Sequence, residues 1–120
     1  MPNFAFPKDL HLRKDADFQR VYVARVYAAD DVLVVNGCEN ALAHPRLGLS
    51  VSRKVGNAVV RNDWKRRIRE AFRLSREVLP AGVDFVVRPQ KEAVLDFHAI
   101  AKSLPELAAR IARKLSRSRQ

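Results

Sequence analysis

The chain has 120 residues, 48% of them hydrophobic, a formal net charge of +10 and a pI near 10.6. That length and composition predict one domain with a real core, and no run approaches the roughly 18 apolar residues of a membrane span. The charge is silent about fold but predicts a polyanionic partner; nucleic acid and an anionic membrane surface compete, and with no span or signal the expectation is nucleic acid and no membrane.

The N-terminus lacks a basic segment followed by a long apolar one, so no secretory signal is expected. The single cysteine, Cys38, excludes an intramolecular disulfide and reads as an inert thiol. Together these predict a cytoplasmic protein. Residues 1–14 read as irregular. Pro2 and Pro7 oppose a helix, Phe4, Phe6, Leu10 and Leu12 are candidates for the core or an edge strand, and Lys8, Arg13 and Lys14 begin a positive surface. Asp15 is the expected N-cap of a first helix over about 16–25, on which Phe18 and Tyr22 share a face. After Asp30-Asp31, the run Val32-Leu33-Val34-Val35 predicts a buried strand. Asn36-Gly37 predicts a turn, and 38–45 a connection. From Arg46 to Ser52, Leu47, Leu49 and Val51 alternate with Gly48, Ser50 and Ser52, which predicts a second strand paired with 32–36. Its Gly/Ser side either leaves room for a backbone or ligand or is a solvated face.

Gly56-Asn57 breaks that strand, and Asn57 can cap a helix over about 58–76. At about 100° per residue, Val60, Trp64, Ile68, Ala71 and Phe72 fall in an arc about 120° wide, with Arg61 at its edge. Lys65, Arg69, Arg73, Arg66, Arg76 and Asn62 fill the next arc. Asp63, Arg67 and Glu70 occupy the remaining flank, where i,i+4 spacing predicts Asp63–Arg67 and Arg66–Glu70 pairs. The stretch 50–76 holds nine basic residues and two acidic ones. A solvated face mixes signs. A nearly uniform basic arc, whose charges repel one another, predicts a polyanion-binding face.

Leu79 to Gly82 ends the helix, and Val83 to Arg88 is a further strand closed by Pro89. From about 91 to 115, Val94, Phe97, Ile100, Leu104, Leu107, Ile111 and Leu115 recur every three or four residues, an amphipathic helix. Pro105 interrupts it, and Ser103 could cap a second helix or a kinked continuation. Arg110, Arg113, Lys114, Arg117 and Arg119 make a basic end, with 116–120 expected to be a disordered tail. The order α-β-β-α-β-α predicts a single α+β domain over 1–120, an α/β sandwich with a mixed sheet of about four strands.

Catalytic chemistry has no evident seat. His11, His44 and His98 are scattered without metal-ligand spacing. The aspartates fall at helix starts and turns, where capping accounts for them. No serine or cysteine has an evident base, and there is no P-loop or dinucleotide fingerprint. The residues describe a binder, with no catalytic and no metal-ligating side chain expected.

The run from Arg46 to Arg73, in which Ser52-Arg53-Lys54-Val55-Gly56-Asn57 leads to Arg61-Asn62, closely resembles the signature of the bacterial ribonuclease P protein subunit. Leu12 to Tyr22 is similar to that family's first helix, and Asp84 to Pro89 to its late strand, so the likeness covers nearly the whole chain. The resemblance implies a left-handed β-α-β crossover, where the general rule gives a right-handed one. It implies an accessory subunit of an endoribonuclease, one that binds the ribonuclease P RNA one to one and the 5′ leader of precursor tRNA. The RNA subunit would then carry the active site and, with the substrate, the Mg2+ ions.

The resemblance assigns Arg61, Asn62, Lys65, Arg66 and Arg69 to RNA contact, and Arg73 joins them on the basic arc. It assigns Phe18 and Tyr22 to a cleft for the single-stranded leader, with Lys54 beside it. Aromatic faces stack on unpaired bases at about 1–3 kcal/mol each with little sequence preference. Two positions depart from the family's pattern. Asp63 replaces a usual arginine and is expected on the flank away from Lys65 and Arg69. Val35 stands where a cleft aromatic is frequent. Two other classes compete: a structural RNA-binding protein such as a ribosomal protein, and a DNA-binding regulator, for which so Arg-dense a helix would grip phosphates more than read bases.

Overall fold

The computed structural model describes residues 10–118; the expectations for 1–9, Phe4 and Phe6 among them, and for 119–120 lie outside the described residues. Helix α1 (Asp15–Val23) is followed by strands β1 (Val26–Ala29), β2 (Leu33–Glu39) and β3 (Arg46–Leu49), helix α2 (Ala58–Ser75), strand β4 (Val83–Pro89) and helix α3 (Phe97–Ser118). A 3-10 turn at Arg53–Val55 joins β3 to α2. The strands form one mixed sheet in the order β1-β2-β4-β3, with β3 parallel to β4 and the other pairs antiparallel.

The α+β class and the four strands agree with the sequence, but the order contains a strand the sequence reading lacks. β1 has only four residues, and the turn before it is made by Arg25 at a φ of 55°, where no glycine or asparagine signals it. The pairing also differs. β3 lies beside β4, not β2, because β4 occupies the centre, with Val83 to Val87 buried on both faces. Asn36-Gly37 is no turn and Cys38 no connection; all three lie inside β2. Gly37 is there because a Cβ would stand 2.4 Å from Ile111 Cγ2, so α3 packs against bare backbone.

Alternation along the strands makes two layers. Leu33, Val35, Leu47, Val83, Phe85 and Val87 face α2 and α3, meeting Trp64, Ile68, Ala71 and Phe72 from one helix and Ile100, Leu104, Leu107 and Ile111 from the other. The α2 residues are the arc read from the sequence, with Val60 half-buried at its border. The other sheet face carries a smaller cluster of Leu12, Val21 and Val86, with Phe18 and Cys38 packed against it.

Helix ends depart from expectation in three places. Asp15 lies within α1, after an uncapped Lys14, and its charge complements the helix dipole. Asp96 starts α3, accepting from His98 N at 3.0 Å, so Val94 falls outside the helix and is 80% exposed. Ser103 is no cap: its hydroxyl is buried and donates to Asp30 Oδ2 at 2.5 Å. α3 runs unbroken through Pro105, held by the buried Leu104 and Leu107 on either side, and reaches Ser118, so 116–118 are helical and not a tail.

The polar centre of the fold is Asp84, on β4 and fully buried. It accepts from Arg46 Nε at 2.8 Å and Nη2 at 2.7 Å, from Asn40 Nδ2 at 2.8 Å, and from Arg20 Nη2. Burial by itself would raise this carboxyl's pKa. The hydrogen bonds from Arg46, Asn40 and Arg20 outweigh it and hold the group below the ordinary carboxylate range. Asp30 follows the same logic, with burial outweighed by Ser103, the Leu33 and Val32 N–H groups and the charge of Arg110.

Because both carboxyls titrate lower when folded, their stabilisation is complete above the unfolded value of about 4 and is lost as pH falls through the folded values. Asp84→Ala strands two arginines and should cost about 3–5 kcal/mol in urea unfolding at pH 7. Asp84→Asn should flatten the acid limb of the stability–pH curve below about pH 4, which unfolding at stepped pH would read.

Candidate nucleic-acid interface

The basic helix starts where its sequence stops being able to extend. Gly56 has a φ of 157°, and a Cβ on it would stand 2.9 Å from Val60 Cγ1. Asn57 then caps α2, its Oδ1 accepting from Val60 N at 3.0 Å, and Arg61 N makes the first helical bond to Asn57 O. Four apolar side chains hold one face against the sheet, so the cationic face turns outward.

That face is not uniform. Arg66 pairs with Asp63 at 3.0 Å, and Arg73 with Glu70 at 2.5 Å. Both are i,i+3 pairs, and they replace the expected i,i+4 pairs of Asp63 with Arg67 and of Arg66 with Glu70. Asp63 is therefore not set aside on a separate flank; it neutralises a member of the basic arc. The hydrogen bond from Arg73 is the main cause that holds the Glu70 carboxyl below its ordinary range. Lys65, Arg69 and Arg76 make no ion pair among the described residues, and Asn62 is exposed beside them. Arg61 is half-buried at the border of the apolar face. Its Nε is buried without a hydrogen-bond partner among the described residues. Lys54 is exposed on the 3-10 turn between β3 and α2.

A second feature lies on the opposite sheet face, under α1. Phe18 packs over Gly48, whose Cβ, if present, would come within 2.9 Å of the ring. The bare side of β3 is thus the seat of an aromatic ring. Tyr22, one turn on, is 39% exposed. Arg20 lies between them in sequence but points into the Asp84 cluster, where it also donates to Glu39 O at 2.7 Å. The β2 and β4 residues on the α1 side are Val34, Asn36 and Cys38 of β2 and Asp84, Val86 and Arg88 of β4.

Val35 is on the other side, fully buried against α2 and α3, so its place in a cleft is overturned. Asn36 and Arg88, on the floor of this α1-side surface, were missed. The period-two burial of β2 was the available signal, hidden because a run of four β-branched or apolar residues reads as buried throughout. Phe18 and Tyr22 therefore come from one face of the sheet and the α2 residues from the other, connected round the end of β3 by the turn that carries Lys54.

Among the described residues, no three His, Cys, Asp or Glu side chains come together as metal ligands. No described helix is long and apolar enough to cross a membrane.

Comparison with known proteins gives a consistent result. The family model described as Ribonuclease P matches residues 6–112. The ribonuclease P protein component of Desulfovibrio desulfuricans is 40% identical over 122 residues, covering 96% of this chain and 92% of that protein. That of Erwinia tasmaniensis is 40% identical over 109 residues, covering 89% and 91%. Among solved structures, the RNase P protein from Thermotoga maritima superposes with a TM-score of 0.77 at 34% identity, covering 83% of this chain and 96% of that one. The Staphylococcus aureus RNase P protein gives 0.74 at 38% identity, covering 86% and 94%.

Asn57→Ala removes the cap without touching the basic face. It should cost about 0.5–2 kcal/mol in urea unfolding.

Proposed function

This chain belongs to the ribonuclease P protein family, and from that premise we propose how its two surfaces divide the work of removing the 5′ leader from precursor tRNA. It is the protein component of ribonuclease P, with the ribonuclease P RNA as its partner. The basic face of α2, with Arg61, Asn62, Lys65, Arg66, Arg69 and Arg73, grips the phosphates of the RNA subunit and of the substrate near the cleavage site. Lys65 and Arg69 carry most of this grip, because neither meets a carboxylate in the free protein. Arg66 and Arg73 must first exchange Asp63 and Glu70 for phosphate. The leader lies under α1, with bases against Phe18 and Tyr22 and phosphates near Lys54. Single-strand binding by stacking tolerates any sequence, which suits an enzyme that handles many leaders.

The chemistry of hydrolysis belongs to the RNA subunit, which with the substrate holds Mg2+. The protein's part is to bind and orient. The observation that carries this reading is the set of cations on α2 without an ion pair among the described residues, half-buried Lys65 and Arg69 and exposed Arg76, beside an aromatic surface on the other side of the β3 end.

Reconstitution tests it. Added to a bacterial ribonuclease P RNA and precursor tRNA at low Mg2+, the protein should raise cleavage and substrate affinity; no gain would sink the proposal. In that assay Phe18→Ala should weaken precursor binding and spare mature tRNA, and equal losses would remove the leader from the α1 surface. Arg69→Ala should weaken RNA binding and lower the salt slope by about 0.7–0.9. An unchanged slope would make Arg69 a solvated charge.

A further inference from the structure

The positive charge of the chain is concentrated in two places. Residues 50–76 have nine cations against two acids, and 97–119 have six against one; the rest has eight against ten. The function proposed for α2 uses only the first. On α3, Arg110, Arg113, Lys114 and Arg117 follow at spacings of three, one and three, so at about 100° per residue all four fall in one outward stripe about 100° wide. All four are exposed. None lies within ion-pair distance of a carboxylate among the described residues, although Glu106 shares the stripe one turn before Arg110.

The stripe borders β1, the outer strand of the sheet. Lys114 Nζ donates to Tyr27 O and sits 5.3 Å from the centroid of the Tyr27 ring, and Arg110 Nη1 donates to Ala29 O at 3.4 Å. Tyr27 is 55% exposed, so Lys114 lies against an accessible aromatic ring. Favourable interaction with the helix dipole accounts for a cation in the last turn, which here holds Arg117. It does not account for Arg110 and Arg113, a turn or more earlier. A solvated face would mix the signs more evenly; here Glu106 is the single acid against four cations.

We propose that Arg110, Arg113, Lys114 and Arg117, with Tyr27, form a second RNA-binding surface that grips backbone phosphates of the ribonuclease P RNA. The inference rests on the RNA partnership above but not on the α2 contacts. The occupant follows from placement. α3 packs over β1 and β2, whereas α2 and the 3-10 turn belong to the β3 end. A partner that meets cations at both edges of the sheet must be large and folded, which favours the RNA subunit over a single-stranded leader.

Arg113→Gln/Arg117→Gln tests it, because neither side chain makes a hydrogen bond or ion pair among the described residues, so an unchanged urea midpoint is expected. The double variant, titrated with ribonuclease P RNA across a salt series, should bind severalfold more weakly, with a slope lower by about 1.5. Precursor tRNA affinity of the assembled complex should stay as in wild type. Unchanged affinity and slope for the RNA subunit would overturn the proposal, and a loss confined to precursor tRNA would overturn its choice of partner. Arg69→Ala run alongside separates the two readings: loss there with no loss in the α3 variant rejects only the second surface.

Discussion

A carboxylate with no access to water stays ionised only if donors surround it on every side. Asp84 satisfies that condition by drawing Arg20 from α1, Arg46 from β3 and Asn40 from the connection after β2 onto the central strand. Asp17 adds a longer contact to each arginine, at 3.9 Å and 3.8 Å. The small cluster of Leu12, Val21 and Val86 beneath α1 is too slight to fix that helix alone. Charged hydrogen bonds supply the direction that apolar contacts lack. With Arg20 tied to β4, the turn of α1 that carries Phe18 is laid across Gly48. The aromatic surface under α1 is thus oriented by a group that takes no part in it, and two of the chain's arginines are structural.

How much of this could be read from the residues depends on the kind of signal. The buried face of α2 was legible because Trp64, Ile68, Ala71 and Phe72 repeat with the helix period. The basic arc was legible as the remainder. The partners of those charges were not, because i,i+3 and i,i+4 neighbours are both within reach and side-chain rotamers decide between them. β2 was half legible. Its apolar start was clear, but Asn36-Gly37 carries the usual hairpin signature, and only the close approach of Ile111 explains a glycine in mid-strand. β1 gave almost nothing, being short and entered through an arginine in a left-handed conformation. Ser103 and Asp30, 73 residues apart, look like separate capping residues until the fold joins them.

The two helices that carry the charge manage it differently. α2 interleaves acids, so part of its charge is neutralised internally while the helix stands alone. That lowers the mutual repulsion of an arginine-dense helix and leaves Lys65, Arg69 and Arg76 among the cations that no carboxylate pairs among the described residues. α3 has no acid in its last three turns, yet two of its cations rest on backbone carbonyls. Both solutions ease the mutual repulsion of cations held close together in a chain of net charge +10, and they leave different side chains available to a polyanion.

Those carbonyl contacts have a consequence beyond charge. The outer edge of β1 would otherwise present unpaired acceptors at Tyr27 and Ala29, the template on which a strand from another molecule can add. Lys114 and Arg110 occupy both acceptors and place bulky, mutually repelling heads along that edge. Those heads disfavour the addition of a further strand at β1, the usual protection of an exposed sheet edge by charge.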